Sequence, residues 1–194
     1  MARMRDGEPG DVRQIDGDVQ ALACLAHPDR SRLLDALTVH GPSTTTELAQ
    51  TLGLATGSVS HHLKVMVDAG LVESAGAEDD RRKRRWRLVT RGLRWRPGAD
   101  TGRPAAETAA TAADLVLLQR DAERARQFLA AAEPPWSDAA FAAHVWLRLD
   151  PAELEEFGRE LETLLLRWRR REIPDDGTER TAVLAFARAF PAEP

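Results

Sequence analysis

Cysteine is nearly missing from this 194-residue chain. Cys24 stands alone, which excludes an internal disulfide and any thiolate metal cluster held within one chain. Tyrosine is absent altogether, so no phenol is available as a catalytic acid. No apolar run approaches the roughly 20 residues of a spanning helix. Met1 to Gly10 is polar and charged, without the apolar stretch of a signal peptide, and the expectation is a cytoplasmic protein. Low-complexity and fibrous patterns are missing too. A composition of 43% apolar and 30% charged residues suits a soluble globular fold with a core rather than a disordered chain. The length exceeds one usual domain and falls short of two, so one core with an extension or small second lobe is expected. The net charge of −4, taken whole, speaks against a nucleic-acid binder.

The distribution of that charge along the chain points the other way. Between His27 and Arg96 there are 12 Lys and Arg against 8 Asp and Glu, so this stretch is basic and the remainder correspondingly acidic. A local basic patch on an acidic protein is what phosphate binding needs, since the patch releases counterions while the rest limits unspecific adhesion. Most of the basic charge sits in Arg81, Arg82, Lys83, Arg84, Arg85 and Arg87, directly after Glu78-Asp79-Asp80. A solvated surface run would look the same in isolation, so its setting decides.

Residues 1–15 show no periodicity and read as a mobile tail. From Asp16 the apolar positions Val19, Leu22, Ala23 and Leu25 fall on one helical face. Pro28 suits the first position of a second helix with a Leu33, Leu34 and Leu37 stripe, ended by His40-Gly41-Pro42. Thr44 and Glu47 form a capping box for a short third helix, closed by Gly53. A fourth runs from about Thr56 to Asp68 and stops at Gly70. Residues 71–75 and 85–89 alternate as strands, predicting a hairpin with the basic run at its tip. Residues 96–104 are a linker. Residues 105–132 form a long helix with Leu115, Leu118, Ala122, Ala125 and Leu129 as its buried stripe. At about 40 Å it is too long for the small head to cover, and a partner subunit is its natural cover. Beyond Pro134-Pro135, residues 140–149 read as a strand, Asp150-Pro151-Ala152-Glu153 starts an amphipathic helix, and residues 181–190 read as a final strand.

The decisive constellation is Ala49, Gly53 and Val59 at the junction of the third and fourth helices. A small residue lets the helices cross closely, a glycine permits the sharp turn, and a valine fills the angle between them. Unrelated helical hairpins also use a glycine turn, but here a basic hairpin follows directly. Leu25-Ala26-His27-Pro28-Asp29-Arg30-Ser31-Arg32-Leu33-Leu34, Glu47-Leu48-Ala49, Val59-Ser60-His61-His62-Leu63-Lys64 and Ala69-Gly70-Leu71-Val72 stand in order. Over residues 16–90 the chain resembles the ArsR-type winged helix-turn-helix repressors. The resemblance implies a homodimer on double-stranded DNA, reading an imperfect palindrome, with the fourth helix in the major groove and the hairpin wing on backbone or minor groove.

Carried over, the groove-facing residues are Thr56, Ser58, Ser60, His61 and Lys64, and the wing contributes Arg81, Arg82, Lys83, Arg84 and Arg85. Thr56 and Ser60 offer small hydroxyls, His61 can donate or accept, and Lys64 suits a phosphate or guanine. His62 reads equally as a scaffold-packed residue or a base reader, and Trp86 as a strand core residue. Adjacent histidines point about 100° apart and no third ligand stands at helical spacing, so no metal site is expected. Ala55 is a poor cap, and Gly57 weakens the first turn by about 1 kcal/mol relative to Ala. A first turn that is loose until DNA binds follows.

The family's thiolate pair is missing, which speaks against transition-metal sensing, and Cys24 reads as a buried small hydrophobe. The fold class expected is α+β: a mainly helical winged helix-turn-helix domain (16–96), a linker and long dimerisation helix (97–133) and a small C-terminal α+β lobe (134–194). Trp136, Phe141, Trp146, Trp168, Phe186 and Phe190 supply aromatic surface to that lobe, either for a core that braces a dimer or, with Trp136, Phe141, Trp146, Trp168 and Phe186 as lining, for a small apolar effector. No nucleophile motif, phosphate loop, metal triad or spaced carboxylate pair is found, so no enzyme and no cofactor are expected. The alternative is a protein-interaction scaffold built on a degenerate winged helix.

Overall fold

Residues 10–14, expected as part of a mobile tail, form a strand instead. In the computed structural model, which describes residues 10–75, 84–96 and 102–193, β1 (Gly10–Gln14) lies parallel to β5 (Thr90–Arg94), with Val12 opposite Gly92. Ile15, next in the chain, is 1% exposed. A five-residue strand with Val12 as its one apolar side chain has no period to read. It is held by its partner and by the burial that follows it, so the local sequence carried no signal.

Helix ends in the first unit, Met1–Glu133, follow capping chemistry. Asp18 accepts from the Ala21 amide at 3.0 Å and starts α1 (Val19–Leu25). His27 caps α2 (Pro28–His40) through Nδ1, which accepts from the Asp29 amide at 3.2 Å. The expected capping box is present: Thr44 accepts from the Glu47 amide and Glu47 from the Thr44 amide at the start of α3 (Thr45–Leu52). Gly53 ends that helix at φ +65°, where a side chain would be strained. It is followed by α4 (Thr56–Asp68).

A second small sheet carries the wing. Its order is β2 (Ser43–Thr44), β4 (Arg85–Leu88), β3 (Val72–Ala75), all antiparallel, with Ser43 opposite Trp86 and Val72 opposite Leu88. The two-residue β2 joins the entrance of α3 to the wing, so wing and helix-turn-helix form one body. Leu22, Leu33, Leu48, Val59, Leu63 and Met66 are each 0–1% exposed and form its centre, each worth about 1.5–3 kcal/mol by burial. Cys24, 1% exposed, belongs to this core, and burial pushes its thiol pKa up.

The long helix α5 (Pro104–Ala131) is present, but its buried stripe is not the leucine stripe read from the sequence. Ala106, Ala110 and Ala113 pack against the core, whereas Leu115, Leu118 and Leu129 are 62%, 46% and 79% exposed. Alanine allows the closer approach of two helices, and the leucines face outward. Arg124 binds Asp35 of α2 at 2.7 Å, and Arg120 binds the same carboxylate.

The second unit, Pro134–Pro194, has a short α6 (Trp136–Ala139) and α7 (Pro151–Arg170), the latter opened by a full Asp150 and Glu153 capping box. The strands expected at 140–149 and 181–190 are not formed. Both stretches run without helix, turn or bend, and neither makes a ladder with any described residue. A strand exists by its partner's hydrogen bonds, and one chain supplies none here. No described residue from 134 to 193 is buried. Among the described residues no helix is long and apolar enough to cross a membrane.

Candidate nucleic-acid interface

The fourth helix divides cleanly into two faces. Val59, His62, Leu63 and Met66 are buried, while Thr56, Gly57, Ser60, His61 and Lys64 are exposed. Three- and four-residue spacing puts Gly57, Ser60, His61 and Lys64 on one stripe, which presents two small groups, an imidazole and an ammonium to solvent. Ser58 is half-buried and lies at the edge of this face. Ala55 provides no side-chain cap, so the first-turn amides and the positive end of the dipole are left to solvent or to an anion.

The motif at the start of α2 holds this helix from behind. Arg30 donates to the Ala23 carbonyl at 2.9 Å, Ser31 to the Leu25 carbonyl at 2.6 Å, and Arg32 to the Leu52 carbonyl at the end of α3 at 2.7 Å. Asp29 binds Arg32 at 3.1 Å and lies 3.9 Å from Nε2 of His62. The motif's polar residues therefore build the frame of the helix-turn-helix.

His62 is 8% exposed and packs against His27 with ring centroids 4.7 Å apart, which decides between its two readings in favour of the scaffold. Burial, and next the neighbouring His27, hold its pKa below the usual histidine value. A third ligand type does approach it, contrary to the expectation from helical spacing, because it comes from α2. His27, Asp29 and His62 offer one ligand atom each within 4.8 Å of one another. Asp29 and His62 stand 3.9 Å apart, and Nδ1 of His27 is already engaged by the Asp29 amide. The geometry is that of a brace between α2 and α4.

At its far end α4 is held by a residue no sequence pattern marked. Arg13 of β1 donates to the Gly70 carbonyl at 2.8 Å and the Ala69 carbonyl at 3.3 Å, and pairs with Asp18 at 2.5 Å. A guanidinium there satisfies helix C-terminal carbonyls and complements the dipole.

In the wing, Trp86 is half-buried against the core and its indole donates to the Thr45 hydroxyl at 3.1 Å, as a strand core residue should. Arg87 binds Glu73 across the ladder at 2.8 Å. Arg85 donates to the Pro42 carbonyl at 2.8 Å and to Glu47 at 3.3 Å, so it fastens the wing to the start of α3. The Thr44 amide, and to a lesser degree Arg85, hold the Glu47 carboxyl below its usual pKa. Arg84 lies at the outer end of β4, its guanidinium 6.0 Å from the Trp86 ring. Arg81, Arg82 and Lys83 lie outside the described residues.

The proposed effector lining is not assembled by one chain. Trp136, Phe141, Trp146, Trp168 and Phe186 are 45%, 90%, 61%, 59% and 51% exposed. Arg171 sits 4.9 Å over the Trp168 ring, an ordinary surface cation–π contact.

Residues 25–75 match the family described as a helix-turn-helix domain. No curated protein matches the chain. Among solved structures it is similar to a MarR family regulator from Neisseria meningitidis, at 18% identity and TM-score 0.35, covering 75% of this chain and 78% of that one. It is also similar to RV1404 from Mycobacterium tuberculosis, at 16% identity and TM-score 0.30, covering 78% and 84%. A mutant of ZitR from Lactococcus lactis in apo form is similar at 17% identity and TM-score 0.27, covering 79% and 83%. The family match, with the wing sheet built onto it, makes the first unit a winged helix-turn-helix domain, a DNA-binding fold of transcriptional regulators.

Proposed function

We propose that this chain is a cytoplasmic, dimeric repressor of the ArsR type that binds an imperfect palindrome in double-stranded DNA. The observation that carries it is the exposed stripe of α4, with Ser60, His61 and Lys64 outward and His62, Leu63 and Met66 fixed inward. Such a helix fits the major groove, where His61 and Ser60 reach base edges and Lys64 a phosphate or guanine. Thr56 and Ser58 lie at its uncapped start, where backbone amides favour a phosphate. The wing adds Arg84 and the run Arg81, Arg82 and Lys83 as phosphate contacts, while Arg85 serves the frame. A dimer places two such helices one turn of DNA apart, at about 34–36 Å. The exposed Leu115, Leu118 and Leu129 of α5 supply apolar surface for that dimer. No catalytic step is assigned to any residue.

An effector arm of this reading, a small apolar molecule held by the C-terminal aromatic residues, requires an assembled lobe, because one chain leaves those rings open. The test is the affinity of the full chain for its own upstream DNA and for random duplex across a salt series. Tighter binding to the former, with log affinity falling linearly in log salt on both, is the expected result. Absence of salt-dependent binding on either would replace this reading with the protein-interaction scaffold.

A further inference from the structure

The second unit has the parts of a folded layer and no interior. Phe141 is 90% exposed, Val145 69%, Val183 71% and Phe190 72%, and α7 presents Leu164, Leu165 and Trp168 at 40–59%. Two segments without helix, turn or bend, 140–149 and 181–190, lie beyond either end of α7 in the chain and make no ladder with any described residue.

We propose that this unit folds by pairing with the same unit of a second copy, the segments 140–149 and 181–190 of both chains forming one interchain sheet covered by the two α7 helices. The proposal rests on the homodimer reading above and names a surface for it. The composition of the segments points to this occupant. Neither contains proline, glycine or an acidic residue, and the only charged side chains are Arg148 and Arg188. Strands that stay at a solvent edge are blunted by charge, proline or bulges, and these carry almost none of that protection. They have the composition of strands that end up paired. Two segments from each of two copies give four strands, a common sheet size. Two amphipathic helices on one face complete a two-layer α+β unit. A two-fold arrangement is self-complementary, each copy supplying the same segments and helix face to the other, whereas an unrelated partner would have to match both segments and the helix face at once.

The area agrees with a copy as partner. An aromatic side chain has about 150–250 Å² to bury. At the exposures of Trp136, Phe141, Trp168, Phe186 and Phe190, with Trp146 left on the opposite face of its strand from Phe141, these five rings alone present roughly 630 Å² per chain. A standard stable interface takes about 800 Å² per partner, and the aliphatic residues add to this.

The experiment is hydrogen exchange of the full chain from high micromolar to nanomolar concentration, with sedimentation velocity on the same samples and a Val145→Asp, Phe186→Asp double variant alongside. The expected result is a dimer whose amides at 140–149 and 181–190 exchange at least about 100-fold slower than free chain. Both segments should lose that protection together as the dimer dissociates. The double variant should lose it at every concentration while the amides of Leu63 and Met66 stay protected, which shows the first unit still folded. A dimer with both segments unprotected, equal protection in the monomer, or a monomer at the highest concentration would each overturn the proposal. DNA binding is read separately: a protected lobe in a chain that ignores DNA would defeat the proposed function and leave this inference standing.

Discussion

The guanidinium of Arg13 donates to the Gly70 carbonyl at 2.8 Å, joining the first strand of the chain to the end of the helix proposed to face DNA. Gly70 has φ +64°, and a Cβ there would lie 3.2 Å from Arg13 Nη1. The turn after α4 therefore depends on both residues. Replacing Arg13 with Ala should cost about 1 kcal/mol in urea unfolding, toward the low end for a charged hydrogen bond because Arg13 is partly exposed. Amide exchange at Ala69 to Leu71 should quicken. Unchanged stability and exchange would mean that the contact contributes nothing in solution.

The opposite end of α4 is under-stabilised and should improve by substitution. Gly57 has ordinary backbone angles, and a Cβ there meets nothing within 4 Å. Gly57→Ala should raise stability by about 0.5–1 kcal/mol and slow exchange at Val59, whose amide is bonded to the Ala55 carbonyl, in the free protein. Strong protection of the Val59 amide in the unmodified chain without DNA would rule out a loose first turn.

His62 links stability to pH. Its folded-state pKa is lowered, first by burial and next by His27, so the unfolded chain binds the proton more readily than the native one. The contribution is complete above the unfolded value of about 6.5 and is lost as pH falls from there toward the folded value. Unfolding free energy measured from pH 8 to 5 should therefore drop on the acid side, and His62→Gln should flatten that drop. A profile unaltered by the substitution would remove His62 as its source.

Much of the head was legible because its signals are local. Pro28, the Thr44 and Glu47 box and Gly53 each act within four residues of the boundary they set, and the starts of α2 and α3 and the end of α3 follow from them. The sequence pattern starts α1 at Asp16 and misses its Asp18 cap. What was hidden depends on residues distant in sequence. β1 exists through β5, and Arg13 acts on a carbonyl 57 positions away. His62 is fixed by the start of α2, not by its own helix. On α5 the hydrophobic pattern marked the leucines, but the close packing against α1 and the core selected the alanines, and periodicity alone does not distinguish a face buried in the chain from one turned outward. In the C-terminal unit alternation predicted strands at 140–149 and 181–190 that are not formed, because a strand needs a ladder and no described residue supplies one.

The proposed function divides the wing's basic residues into framing and binding ones. Arg85 and Arg87 are engaged within the domain, so replacing Arg81, Arg82 and Lys83 together with Ala should leave the fold intact. On DNA it should weaken operator and random duplex alike and reduce the salt slope of the dimer by about 5, at about 0.9 per phosphate contact and three contacts per wing. His61→Ala should instead act on the operator more than on random DNA. Identical salt slopes before and after the triple change would take the wing out of the interface.

The proposed function turns on the exposed face of α4 reading DNA as part of a dimer, and its sharpest test is a footprint of the full chain on the DNA upstream of its own gene. Two protected half-sites are expected, with centres about 10 bp apart or a multiple of that, and the His61→Ala, Lys64→Ala variant should lose this protection. Protection that survives the double substitution, or none even at low salt, would refute it.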